Sequence, residues 1–327
     1  MRLILVILLA AFTLPAFAAD VPSHWKRAWP KTDFSKLTVN PAEVFSGGPP
    51  KDGIPAITNP AMVPVASDEI LDPREPVMSV EAEGMPARAY PLRYLMWHEI
   101  VNDRIRDVPI AVTFCPLCNS GLVFDLRLPS IEGHMEIELG VSGMLRHSDM
   151  IMFDRQTESW WQQFTGEAIA GFMTGAKLVP LPALLESWEQ FRTTHPDGVV
   201  MAEPTEYRRA YGKNQYRGYD SGRPFLYRGE MPPHGVPALA RVVRVGDRAW
   251  PLTRFRETQV IEEAGVRIEW RSGQASALDS EEIAEGRDVG NIRVLDAETG
   301  DPVVHEVVFA FAFQAFTPEG EWMLGNK

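Results

Sequence analysis

The chain reads as a β-rich α+β protein of mixed and antiparallel sheets with a few short helices, organised as two related lobes. Three observations predict this. Short apolar runs rich in β-branched residues recur along the chain, and Gly- and Pro-containing turns separate them. Only two segments, Leu92 to Asn102 and Leu181 to Thr194, carry a helical pattern. A four-residue pattern repeats after 160 residues, Ala89-Tyr90-Pro91-Leu92 and Ala249-Trp250-Pro251-Leu252, each following a strand and a Gly-containing turn. A match this short also arises by chance.

With 327 residues, 45% hydrophobic and 23% charged, the chain can bury a full core without a disulfide framework. Lys and Arg total 32 against 44 Asp and Glu, a net charge of -12, with no basic cluster, so no nucleic-acid partner is expected.

The elements follow in order. Met1-Arg2, the apolar stretch Leu3 to Phe12 and the small residues of Ala16-Phe17-Ala18 predict a signal peptide over residues 1–18. The rival is a membrane anchor, but Pro15 interrupts a stretch shorter than the roughly 20 residues a spanning helix needs. The mature chain, Ala19 to Lys327, is thus expected to be periplasmic or secreted, with no integral membrane segment; the apolar Val303 to Phe316 contains His305, Glu306 and Gln314. Residues 19–76 are rich in Pro and Gly, yet Trp25, Trp29, Phe34 and Phe45 favour an ordered wrapping segment over a disordered tail.

Residues 77–204 form the first predicted lobe. Val77 to Tyr90 reads as a hairpin around Glu83-Gly84, Leu92 to Asn102 as a helix, and Pro109 to Phe114 and Leu122 to Leu128 as strands. Met135 to Val141 and Met150 to Phe153 suggest two more strands, and Leu181 to Thr194 a helix ending before His195-Pro196. Residues 205–236 connect to the second, cysteine-free lobe at 237–327, where Val266 to Trp270 and Ser276 to Asp279 stand in for the strands that flank the cysteines.

Both cysteines lie in Cys115-Pro116-Leu117-Cys118, in a turn between two strands. A thioredoxin-like site would have a helix after the pair, so this turn is closer to the knuckle of a metal site. The remaining ligands must then be His, Met or carboxylate. His98 precedes the strand that leads to Cys115, and His147 and Met152, with Met150, lie near a later strand. Two thiolates with imidazole and thioether would suit copper(I), and two thiolates with two imidazoles zinc. The alternatives are an enzyme using Cys115 as redox group or nucleophile, and a structural Cys115–Cys118 disulfide that would close too short a loop to stabilise much.

A second constellation could hold an unknown small ligand: Asp154, Arg155, Thr157, Ser159, Trp161 and Gln163, although a turn with a local ion pair and a buried aromatic would explain it equally well. No Gly-x-Ser-x-Gly, phosphate loop, dinucleotide fingerprint or His-Glu-x-x-His occurs, and Asn119 after Cys118 excludes covalent haem attachment.

Taken together, Asp52-Gly53-Ile54-Pro55-Ala56-Ile57, Ala89-Tyr90-Pro91-Leu92, His98-Glu99-Ile100-Val101-Asn102-Asp103, Val112 to Cys118, Val141-Ser142-Gly143 and Asp154 to Ser159 with Trp161, Gln163 and Gly166 resemble the bacterial and archaeal family grouped as domain of unknown function 3179. The resemblance covers most of the mature chain and confers no activity. In that family the first cysteine and the His-Glu pair recur while the second cysteine is at times threonine. The resemblance therefore implies that Cys115 and His98 lead, as metal ligands or as nucleophile and base, with Glu99 and Asp103 as orienting groups or general acid or base. His147 lies outside the family pattern and Met152 fits it. A copper or zinc ion is the expected cofactor, with copper ahead, and a small ligand or metal donor the expected partner.

Overall fold

The computed structural model describes residues 21–130, 133–255 and 258–325, so the predicted signal peptide lies outside the described residues. Five sheets of three to five strands, in a propeller-like arrangement, and one two-stranded ribbon account for the β structure. One sheet orders Val179–Leu181, Ser120–Asp125, Val108–Cys115, Ile100–Ile105 and Ile57–Thr58. A second orders Val44–Ser46, Leu139–Arg146, Asp149–Asp154, Trp160–Gln162 and Ala168–Ala170, all antiparallel. Helices are few and short, and no described helix is long and apolar enough to cross a membrane.

The repeated tetrapeptide marks equivalent places in two sheets. Pro76–Val80 pairs antiparallel with Arg88–Pro91; Leu184–Ser187 adds antiparallel on one side and Val199–Met201 parallel on the other. Arg241–Val245 pairs the same way with Arg248–Pro251, flanked by antiparallel Glu306–Phe309 and parallel Glu321–Trp322. Each outer pair is joined through a seven-residue helix, Trp188–Thr194 or Ala310–Phe316. The two halves nevertheless share a core, because one apolar cluster runs from Met78, Phe114 and Trp161 to Val242, Phe309 and Phe313.

Five expected elements changed, two of them strands that break in two: Leu122 to Leu128 divides between Ser120–Asp125 and Arg127–Ser130, and Met135 to Val141 between Gly133–Glu136 and Leu139–Arg146, the two parts lying in different sheets each time. The helix predicted to reach Asn102 stops at His98, because Glu99 turns left-handed (φ 59°) and the β-branched Ile100-Val101 start the strand Ile100–Ile105. Residues 181–187 are extended, Leu184–Ser187 pairing with Pro76–Val80, and the helix begins only after Ser187, whose side chain accepts from the Gln190 amide at 3.2 Å. Ser276 to Asp279 forms a turn instead of a strand.

The N-terminal described residues pack through aromatics. Trp25, Trp29 and Phe34 surround the fully buried Trp160, at ring-centroid distances of 5.1, 5.5 and 5.0 Å.

Glu186, buried on the strand Leu184–Ser187, accepts from the Ser79 hydroxyl at 2.5 Å, and burial pushes its carboxyl up to about 7. The folded chain thus holds this proton more tightly than the unfolded chain. Stability from this group is fully present below the ordinary carboxyl range and falls as pH rises towards 7, by about 3 kcal/mol in all. Glu186→Gln should match the parent in urea melts at pH 4.5 and exceed it by about that amount at pH 8. Equal stabilities at pH 8 would contradict this assignment.

Candidate functional site

Strands Val108–Cys115 and Ser120–Asp125 form a hairpin whose last pair is Cys115 with Ser120, leaving residues 116–119 as its loop. The Cys118 amide donates to the Cys115 carbonyl at 3.3 Å and the Asn119 amide to the Pro116 carbonyl at 3.2 Å, with Asn119 left-handed at φ 51°. Asn and Gly tolerate that conformation best. The far half of the chain clamps this turn. The Phe309 amide donates to the Cys118 carbonyl (2.9 Å), Asn119 Nδ2 to the Val307 carbonyl (2.6 Å) and the Ser120 hydroxyl to Glu306 (2.7 Å).

Both cysteines are buried free thiols, so the expected alternative of a Cys115–Cys118 disulfide is not formed. The third member of the cluster is Asp149. It opens the strand Asp149–Asp154 directly after a two-residue turn, His147-Ser148, in which both residues are left-handed (φ 51° and 65°). That is the turn geometry of tight hairpins, held here without glycine. Asp149 Oδ2 accepts from Gln162 Nε2 at 2.6 Å and from the Phe164 amide at 3.0 Å, while Oδ1 is buried without a hydrogen-bond partner among the described residues. One donor atom from each of Cys115, Cys118 and Asp149 lies within 4.8 Å of the others. Cys115 Sγ is also 3.7 Å from the Ser148 carbonyl oxygen.

Charge is unwelcome here. Burial pushes Asp149 up to about 7 and both thiols above their ordinary range, and the neighbouring acids add to the effect on the thiols. Glu99, 8% exposed, is raised to about 8 by burial and by the proximity of Asp149. It ends the helix Leu92–His98 in a left-handed position usually given to glycine, its amide donating to the Leu95 carbonyl at 2.7 Å. The side chain of Glu99 makes no hydrogen bond among the described residues and lines a cleft of about 270 Å³.

His98 is not part of the thiol cluster. Its Nδ1 donates to the Pro55 carbonyl and its Nε2 accepts from the Tyr211 hydroxyl, both at 2.7 Å, a pairing that fixes the neutral tautomer; burial lowers its proton affinity further. Neither nitrogen is left for a metal or for base catalysis. His98 instead ties the Asp52 to Ile57 motif to the segment after Pro204. Asp103 accepts from Arg88 (2.6 Å) and the Tyr90 hydroxyl (2.7 Å), as a structural ion pair. His147 Nε2 lies 3.3 Å from Glu43. Met152 is buried opposite Trp161, and Met150 lines the same cleft as Glu99.

The second constellation is largely satisfied from within. Asp154 accepts from the Thr157 amide (2.6 Å), the Thr157 hydroxyl (2.8 Å) and Trp161 Nε1 (3.0 Å). The Thr157 and Ser159 hydroxyls meet at 2.7 Å. Arg155 binds Asp52 through both terminal nitrogens (3.0 and 3.1 Å) and Glu138 at 3.0 Å. These residues build a turn that anchors the Asp52 motif. Gln163 donates to Thr113 (3.0 Å) and to the Ser120 carbonyl (3.3 Å), bracing the cysteine hairpin, and its Oε1 has no hydrogen-bond partner among the described residues.

Sequence reasoning assigned no role to Asp149 or Gln162. The available signal was His147-Ser148-Asp149 between two apolar strands, a polar turn placing a carboxylate at the start of a buried strand. The family model described as protein of unknown function (DUF3179) matches residues 51–320. Among curated proteins and among solved structures, nothing matches the chain.

Proposed function

The chain belongs to the DUF3179 family, and from that premise we propose that it binds one zinc ion through Cys115, Cys118 and Asp149. The observation that carries this reading is three buried acidic donors with one atom of each within 4.8 Å of the others, together with an Asp149 oxygen that has no hydrogen-bond partner among the described residues. Ionising these buried acids is costly without a cation, and a divalent ion supplies the compensating charge. Two thiolates and one carboxylate suit zinc better than copper(I), which favours sulfur and imidazole, so the carboxylate reverses the preference for copper drawn from Met150 and Met152. Three protein donors leave the fourth tetrahedral position to water or a ligand, as in zinc sites that act on substrates. Gln162 and the Phe164 amide, by holding Oδ2, orient the carboxylate as outer partners do at metal centres.

Cys115 as a nucleophile with His98 as base has less support. A reactive thiol needs a lowered proton affinity, and this one is raised among acids, with the ring nitrogens of His98 engaged elsewhere. Export through a leader over residues 1–18 belongs to the same proposal. In an oxidising compartment a bound zinc would keep the two thiols from pairing.

Metal analysis of protein purified without chelator tests the reading. One zinc per chain is expected, with both thiols alkylated only after the metal is stripped. Cys115→Ser and Asp149→Ala should each fold, by circular dichroism, and lose the metal. Stoichiometric metal retained by folded Cys115→Ser, or metal-free protein with no free thiols, would falsify it.

A further inference from the structure

Beside the thiol cluster, Ile54, Glu99, Leu117, Met150, Tyr216 and Phe225 help to line the cleft of about 270 Å³. We propose that this cleft binds a small organic cation, an ammonium group on a compact apolar body, with the ammonium at the Glu99 carboxyl. The inference goes beyond the metal reading and does not rest on it.

Glu99 is a carboxyl more than nine-tenths buried, with no hydrogen bond from any described residue, lining the space. Such a group is costly unless something pairs with it. The rest of the lining is apolar or aromatic and includes no Lys, Arg or His. The ionisable groups nearest to Glu99 are also acids, Asp149 and Cys115, so the surroundings offer an anion no compensating positive charge. The aromatic side chains of Tyr216, Tyr219 and Phe225 line the cleft, and aromatic rings attract a cation more strongly as it is desolvated. Tyr219 is held in place, its hydroxyl donating to the Leu117 carbonyl at 3.0 Å and accepting from the Phe225 amide at 3.1 Å.

The opposite wall is also shaped. The register of Leu139–Arg146 against its partner slips between Val141 and Met144, and Gly143 in that bulge is left-handed at φ 75°. A Cβ there would run into the Pro49 carbonyl, so the glycine of the Val141-Ser142-Gly143 motif lets the segment that carries Gly47 and Pro49, both of which line the cleft, approach this strand closely. The volume lies below the roughly 300–1,000 Å³ of sites for drug-sized ligands, which sets the occupant near the size of a single substituted ring.

Benzylammonium, benzyl alcohol and benzoate share one body and differ in charge. Titrated calorimetrically into the full chain at one pH and salt, with and without added zinc, benzylammonium should bind saturably. It should bind at least tenfold more tightly than benzyl alcohol, and benzoate should not bind. Glu99→Gln should bring benzylammonium down to the level of the alcohol. Ile54→Trp, which fills the cleft and leaves Glu99 in place, should abolish binding of both. Equal affinity for cation and alcohol, a preference for benzoate, unchanged affinity in folded Glu99→Gln or Ile54→Trp, or no saturable binding of any of the three overturns the proposal. Zinc content measured on the same samples separates the two readings, since loss of either result leaves the other standing.

Discussion

Zinc binding should weaken several hundredfold when the pH is lowered from 7 to 6. Each ligand must lose its proton to bind: both thiols, raised by burial, are fully protonated across this range, and each contributes tenfold. Asp149, at about 7, passes from half to mostly protonated and contributes the remainder. The sign follows from linkage. Metal binding releases protons, so added protons oppose it. Competition against a chromophoric chelator at successive pH values reads the slope, and calorimetry in buffers of different ionisation enthalpy counts the protons released. Asp149→Asn should reduce the slope towards two protons. A wild-type slope of one proton or less would show that at most one of these groups is a ligand. Because only the folded chain assembles the three donors, zinc at a thousand times its pH 7 dissociation constant should add about 4 kcal/mol of stability at pH 7, and at the same zinc concentration that gain should fall below about 1 kcal/mol at pH 6.

Trp160→Ala is expected to cost about 3–5 kcal/mol, the range for deleting a fully buried large aromatic. Trp160 is completely buried and is the common neighbour of Trp25, Trp29 and Phe34, three of the residues through which the N-terminal segment joins the body. Its loss leaves a cavity that those rings cannot all collapse to fill. The segment should then be cut by protease while the remainder resists, with new N-termini between residues 21 and 46. Urea melts and N-terminal sequencing of the fragments check both effects. A cost under 1 kcal/mol, or unchanged protease resistance, would mean that the segment is held chiefly by other contacts, such as Lys51 with Glu158 (2.7 Å) and the Thr38 amide with the Ile169 carbonyl (2.9 Å).

Where structure depends on near neighbours, it was legible in the chain. The hairpin around Cys115 to Cys118, the strand pairs at Val77 to Tyr90 and at Val242 to Pro251, and the early aromatics as packing material all follow from alternation, turn residues and apolar content. The tetrapeptide repeat pointed to two sheets of the same pairing order, although the halves share one core. Helix ends were less legible. Residues 184–187 have helix-forming composition but pair with Pro76–Val80, a contact more than a hundred residues away.

What the sequence determined by itself was the β-rich architecture, the turn carrying both thiols and the family to which the chain belongs. The tertiary structure alone decided which groups meet those thiols. His98 is near Cys115 in the chain, yet the left-handed residue after it starts a new strand and the Pro55 carbonyl and Tyr211 hydroxyl occupy its ring. Asp149 comes from a different sheet, carried in by a hairpin turn that leaves its carboxylate buried beside the sulfurs. Periodicity and turn chemistry report local geometry. Which buried acid faces which thiol is set by how two sheets pack, and that depends on side-chain volumes spread across the whole core.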